Sequence, residues 1–331
     1  MMRVEEVRAF RERFQNVIET LPALQCSKEE LKKFHIVTRE PFKRALMDFI
    51  APWALSWLQP FIRRWSNVEI PVRYDLLSWG DRWGRGATNA RLFRDVRPRD
   101  LSAVLVQGCS FGDGAVQDWL RWGAKSVHGI EIVDMRQCWE ETVPRLREAF
   151  GAEVVFRQGL IEEMPYPDGM FDVVTSGAVY EHVYNLNVAA QETARVLKPG
   201  GRSIHGIGPL YFSFSGDHCI GEYGFEAGYD HLLLDEPGYR KRVEDQAFFD
   251  RAPDPRCQTW AVQNKFSFAR LTEYLDAFAP WFEVEFLQVI ISPEGVRYRA
   301  AFPDRWAQLL AAGLTPADLL VKGMNVIFRK R

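Results

Sequence analysis

The chain has 331 residues, of which 47% are hydrophobic and 26% charged, with a net charge near −2. These values exclude a disordered chain and suit one large α/β domain with added elements, or two modest domains. The near-neutral balance argues against nucleic acid as a partner, because such proteins present a basic surface.

The charge is uneven: residues 1–100 carry 19 Lys/Arg against 13 Asp/Glu, which reads as solvated helix faces. Five cysteines (Cys26, Cys109, Cys138, Cys219 and Cys257) occur without C-x-x-C spacing. Neither a disulfide framework nor a zinc site is expected, and a reducing, cytoplasmic compartment fits. The opening MMRVEEVRAFRERF is charged from its start, unlike a signal peptide. No run of about 18 uninterrupted apolar residues predicts a membrane span.

Taken in order, residues 3–19 predict an amphipathic helix, and 28–65 continue the helical pattern. The aromatic stretch from Ala45 to Trp65 contains Pro52 and Pro60, which predict breaks. It reads as a cover over a pocket or a homodimer contact, with a peripheral membrane contact as the rival. Residues 73–94 predict a loop feeding a short helix. From 103 the pattern alternates. Strands are predicted at 103–108, 126–132, 153–159, 171–177 and 201–208, with helices at 113–122, 136–150 and 187–197. That alternation implies a parallel sheet with helices on both faces. Residues 209–262 predict a long irregular insert, 266–278 a helix, and 282–291 and 322–330 two closing strands. The expected division is a helical cap over 1–100 and a ligand-binding domain over 101–331.

The first strand of that alternation runs into Gln107-Gly108-Cys109-Ser110-Phe111-Gly112 and then a helix. Glycines at such a junction let the backbone approach a ligand, and the helix N-terminus favours an anionic group. The glycines at 108, 112 and 114 do not match the G-x-G-x-x-G of dinucleotide binders, which counts against a dehydrogenase or epimerase. Glu131 closes the second strand, a position from which a carboxylate accepts both ribose hydroxyls.

Three further motifs follow in order: Pro165-Tyr166-Pro167-Asp168-Gly169-Met170-Phe171-Asp172, Glu181-His182-Val183, and Arg195-Val196-Leu197-Lys198-Pro199-Gly200-Gly201. Together these resemble the type 11 family of class I S-adenosylmethionine-dependent methyltransferases over about residues 103–208. The resemblance implies a Rossmann-like, doubly wound, seven-stranded, mostly parallel sheet. It also implies S-adenosyl-L-methionine as methyl donor, with S-adenosyl-L-homocysteine as product. By position in the motifs, Gly108, Cys109, Ser110 and Gly112 frame the methionine part, and Gln107 stands beside them. Glu131 holds the ribose, with Ile132 next to the adenine. Gly159, Leu160 and Ile161 bracket the adenine ring. Ser176 and Gly177 lie near the sulfonium, and Lys198–Gly201 is a structural turn. The sequence departs from the family at Val106, Ser110 and Leu160, where an acid, a glycine and an aspartate are usual. Each departure removes a polar contact worth about 1–2 kcal/mol.

Methyl transfer to a hydroxyl needs alignment, water exclusion and a base near the proton. His182, after the fourth strand, and His218, in Ser215-Gly216-Asp217-His218, are the candidate bases, because an imidazole titrates near neutrality. Asp217 is expected to orient one of them, with Asp230 as the alternative. Glu181 and His182 with a downstream histidine are too thin a set for Mg²⁺, so no metal is expected. The expected activity is O-methylation of a small polar or specialised metabolite. N-methylation of an amine, amino acid or guanidine is the alternative, and a non-catalytic binding module the remote one.

Overall fold

The computed structural model describes residues 42–70, 76–80, 101–112, 115–218, 224–243 and 266–331. The helix expected at 3–19, and Cys26, Cys219 and Cys257, lie outside those residues.

Eight strands form one sheet: β1 (Leu76–Trp79), β2 (Ala103–Gln107), β3 (Ser126–Glu131), β4 (Glu153–Gln158), β5 (Phe171–Gly177), β6 (Leu197–Ile207), β7 (Phe282–Ile291) and β8 (Val321–Lys330). Their order is β1-β7-β8-β6-β5-β2-β3-β4. All pairings are parallel except those of β8, which runs antiparallel between β6 and β7. Seven strands were expected. The eighth is β1, in a stretch that reads as loop: Leu76–Trp79 pairs in parallel with Gln288–Ile291 at the edge. Four residues are too few for a period-2 pattern to show.

The inner strands are short and apolar because helices cover both faces. Alternate residues serve alternate layers. Val104 and Val106 face a cluster that also holds Val116, Trp119 and Leu146. Leu105, Val174 and Phe328 face the larger cluster on the other side. Helices α2 (Ala115–Arg121) and α3 (Arg136–Phe150) cover the first face. Helices α4 (Leu186–Val196) and α7 (Leu271–Phe278) cover the second. Helix α3 stops at Gly151, whose left-handed φ of 64° lets its N–H bond Arg147 O. Helix α4 starts at Asn185, whose side chain accepts from Val188 N–H at 3.2 Å.

Helix α1 (Phe42–Ser66) runs unbroken through Pro52 and Pro60. Each proline removes one backbone bond, but Leu55, Leu58 and Ile62 anchor the helix on the sheet side. Trp53, Trp57, Phe61 and Trp65, one turn apart, point outward at 51–76% exposure. The described part of this helix packs on β1, five strand positions from β2, or roughly 24 Å at the usual strand spacing. It braces that sheet edge.

The insert after β6 is less irregular than expected. It holds a 3₁₀ turn (Phe225–Tyr229), α5 (Asp230–Leu233) and α6 (Glu236–Val243). Three helices that the sequence pattern did not reveal, α8 (Pro293–Ala301), α9 (Pro303–Ala311) and α10 (Pro316–Leu320), lie between β7 and β8. Among the described residues, no helix is long and apolar enough to cross a membrane.

Candidate active site

β2 has β3 on one side and β5 on the other, so the chain order reverses there. In open α/β sheets ligands bind at the carboxyl ends of the strands flanking such a point. The segments after β2, β3, β4 and β5 carry most of the expected donor-site residues, and the sheet brings them together at this edge.

Gly108 has a φ of +69°. A β-carbon there would lie 2.3 Å from Val179 Cγ2, so the turn packs tightly on the segment after β5. Its N–H donates to Ile130 O at 2.8 Å. Ser110 stands where the family has glycine and still adopts a left-handed φ of +49°, an arrangement costing of order 1 kcal/mol. Two contacts hold it there: Ser110 N–H donates to Glu131 Oε2 at 2.9 Å, and Trp139 Nε1–H donates to Ser110 O at 2.7 Å. Glu131 Oε1 also accepts from Val133 N–H at 3.2 Å. These bonds fix the orientation of the carboxylate. Gly112 closes the turn onto Cys109 O at 2.9 Å. Cys109 is buried, beneath the turn, against Gly129.

Gly159 N–H donates to Glu131 O at 2.9 Å, which ties the end of β4 to that of β3. Leu160 follows at partial exposure, Ile161 enters the core, and Ile132 is exposed beside them. Ser176 pairs with Gln107 in the register of β5 and β2. Its hydroxyl lies 2.7 Å from His205 Nδ1, whose Nε2 is bonded to Ser203 Oγ. Burial pushes the His205 pKa down to about 3, so this imidazole stays neutral.

Gln107 does not join the donor site. It is fully buried: its Nε2 donates to Thr193 Oγ1 at 3.0 Å, and its Oε1 accepts from Tyr180 Oη at 3.2 Å. The side chain is spent on joining β2 to α4, and alternation along β2 points it away from the layer of Val106.

A cavity of about 350 Å³ opens at the ends of β5, β6 and β8. Ser176, Gly177, Asp118, Trp122, Lys322 and Asn325 are among its walls. Sequence reasoning missed the last four of these. Lys322 and Asn325 reach the site from about 145 residues beyond Ser176, through an antiparallel strand that no local pattern ties to it.

On the acceptor side, His182 ends the 3₁₀ turn Tyr180–His182 directly after β5. His218, at φ +65°, lies in the insert. Their rings meet edge to face at 4.9 Å between centroids, and Phe266 packs against both, at 5.4 and 5.3 Å. Glu181, which sequence reasoning left out of the catalytic set, is buried beside them at 1% exposure. Its carboxylate and both imidazoles place one nitrogen or oxygen each within 4.8 Å of one another. Ser267 N–H donates to Glu181 O at 2.6 Å and holds the loop bearing Phe266 against the turn.

Asp217 accepts from Tyr239 Oη at 2.9 Å, and its charge acts on His231. Asp230, the alternative, is ion-paired with Arg305. His231 Nε2–H donates to Tyr211 O at 2.8 Å, and burial lowers its pKa.

The later motif residues form a scaffold under this edge. Arg195 bonds Glu192, Asp168, Tyr166 O and Met164 O. Asp172 accepts from Ser102 N–H at 2.9 Å, Ala103 N–H at 2.8 Å and Lys198 Nζ at 2.5 Å. Burial alone would raise the Asp172 pKa. The hydrogen bonds from Lys198, Ser102 and Ala103 outweigh it and hold the carboxyl below its usual range. Lys198 is therefore a structural residue, as its turn implied.

Residues 107–205 match the family model described as a methyltransferase domain. The chain is 36% identical over 98 residues to a probable S-adenosylmethionine-dependent methyltransferase of Mycolicibacterium smegmatis, covering 30% of this chain and 35% of that one. It is 34% identical over 144 residues to a demethylmenaquinone methyltransferase of Thermus thermophilus, covering 41% and 61%. A solved S-adenosylmethionine-dependent methyltransferase of Mesorhizobium loti aligns over 74% of this chain and 98% of that one, at a TM-score of 0.42 and 17% identity. The chain thus spans less than two thirds of the length of these two sequence relatives. Residues 107–205 thus read as a methyltransferase domain of the type 11 family.

Proposed function

We propose that the protein is an S-adenosylmethionine-dependent methyltransferase acting on a hydroxyl of a small molecule. One observation carries the donor half. A left-handed glycine turn, an oriented acidic side chain at Glu131 and the apolar Gly159–Ile161 segment converge at the switch point, within the family-matched segment. That constellation suits a ligand with a diol, a flat ring and an amino-acid tail. Bound there, S-adenosylmethionine supplies an electrophilic methyl group on sulfur.

The chain's own residues do the rest. Glu131 orients the ribose, Leu160 and Ile161 flank the adenine beside Ile132, and the backbone of Gly108, Cys109, Ser110 and Gly112 frames the methionine part. Ser176 and Gly177 form the wall nearest the methyl. His182 and His218 stand on the acceptor side, where a proton must leave a hydroxyl as the new C–O bond forms. The similarity to an enzyme named for demethylmenaquinone supports a small-molecule acceptor. The paired imidazoles favour oxygen over nitrogen, because a neutral amine attacks without a base.

The test is a screen of metabolite pools with labelled methyl donor, followed by identification of the methylated atom. A label on oxygen fits the proposal. Transfer only to nitrogen would replace the hydroxyl reading, and a chain that binds donor but labels nothing would point to a binding module.

A further inference from the structure

We propose that the outward face of helix α1 docks the protein on an anionic phospholipid surface. This helix is apolar on two sides. Leu58 and Ile62 pack one side into the core. The other side presents Trp53, Trp57, Phe61 and Trp65 to solvent, with Ile50 exposed in the same helix. Aromatics four residues apart form one line, about 18 Å long at the helical rise. A helix that is apolar all round is covered all round, and a contiguous exposed apolar patch marks an interaction site.

The charges around that line indicate what covers it. From Phe49 to Ser66 the helix holds no acidic residue. Across the whole helix Asp48 stands against Lys43 and Arg44 in the first turn and Arg63 and Arg64 in the last. Arg64 is exposed and, seven residues after Trp57, continues the aromatic line. Beside Trp65 an open groove of about 520 Å³ is walled by Val296, Arg297, Arg299, Ala300 and Ala301. Arg299 donates from Nη1 to Ser66 O at 3.1 Å, which ties α8 to the end of α1. Arg297 is largely exposed, with Glu294 at 3.8 Å. One end of the aromatic line therefore meets four arginines, against the acids Glu69 and Glu294.

Tryptophan and phenylalanine on one face, with lysine and arginine bordering them, suit a helix lying in the plane of a bilayer interface. The indole ring is apolar and its N–H polar, so it favours that depth. Arginines beside it bond lipid phosphates. A second copy of the chain suits the face less well. A twofold pairing that lays the aromatic lines along each other runs the helices parallel or antiparallel. Both helix ends are basic, so either arrangement sets like charges together, which is costly. An anionic bilayer answers both ends with opposite charge. Trp65 also packs edge to face on Trp79, at 5.6 Å between centroids, at the carboxyl end of β1. β1 and β5 run in the same direction, so this end of the docking face lies on the sheet edge that carries the donor-site residues.

The experiment is co-sedimentation of the full chain with phosphatidylcholine vesicles, with and without phosphatidylglycerol, at low and raised salt. Partition into the phosphatidylglycerol vesicles should exceed that into pure phosphatidylcholine by about tenfold and fall as salt rises. The double variant Trp53→Ser, Trp57→Ser should weaken it about tenfold. The double variant Arg63→Gln, Arg64→Gln should weaken it and remove much of the salt dependence. All four side chains are exposed, so circular dichroism and donor calorimetry should match the unaltered chain. No partition, equal partition into both vesicle types, or partition unchanged in the tryptophan variant would overturn the proposal. So would a dimer in sedimentation velocity that the tryptophan variant dissociates while vesicles bind nothing, which would assign the face to a second copy.

Discussion

Two polar regions flank the end of β5, and they are built on opposite plans. Between 164 and 202 the charged side chains answer each other: Arg195 meets Glu192 and Asp168, and Lys198 meets Asp172. From 181 to 218 the polar atoms that gather are of one chemical kind, two imidazoles and a carboxylate, all capable of donating an electron pair to the same point. The segment with the most recognisable sequence is thus scaffold, whereas the three gathered side chains come from a short turn and a loop that few patterns mark.

Removing a scaffold charge should cost the most. Arg195→Ala deletes charge-assisted bonds to two side chains and two carbonyls. With that residue 30% exposed, we expect a loss of about 2–3 kcal/mol in urea unfolding. A loss below about 0.5 kcal/mol would break the distinction between scaffold and site. Gly108→Ala comes next. A β-carbon against Val179 and a left-handed φ should weaken donor binding more than tenfold, about 1.4 kcal/mol or above. Unchanged donor affinity would move the donor elsewhere.

Glu131→Gln should weaken the donor about tenfold, because the charged acceptor for the ribose and for Ser110 N–H becomes neutral; the same calorimetric titration reads it. A smaller effect concerns pH. The folded pKa of Asp172 is depressed below its ordinary value of 3.8, so its contribution is fully present above that value and is lost as pH falls through the folded pKa. Asp172→Asn should therefore flatten the acid limb of the stability–pH curve and leave its alkaline limb alone. The smallest effect is expected at Asp217. If it serves Tyr239 rather than His218, Asp217→Asn should change kcat less than twofold. A hundredfold drop would restore it as the orienting residue.

Much of the fold was legible because period-2 strands and period-3.6 helices differ over six or more residues. Helix α3 at 136–150 and strand β5 at 171–177 fall where the pattern puts them. β1 was invisible because four residues carry no period. The run through Pro52 and Pro60 misled because packing of Leu58 and Ile62 overrides a local breaker. The strand-end positions of Glu131, Gly108 and Ser176 were legible from the pattern. The direction of Gln107 was not, since strand alternation decides which way a residue beside a glycine turn faces. Glu181 emerged only when the insert folded back to bring His218 alongside.

The central claim is that the turn at 108–112 and Glu131 form a site for S-adenosylmethionine. Calorimetric titration of the full chain with that donor, before any acceptor is added, tests it most directly. The account predicts saturable one-to-one binding, competed by S-adenosylhomocysteine and weakened in Gly108→Ala. No heat at millimolar donor would contradict it.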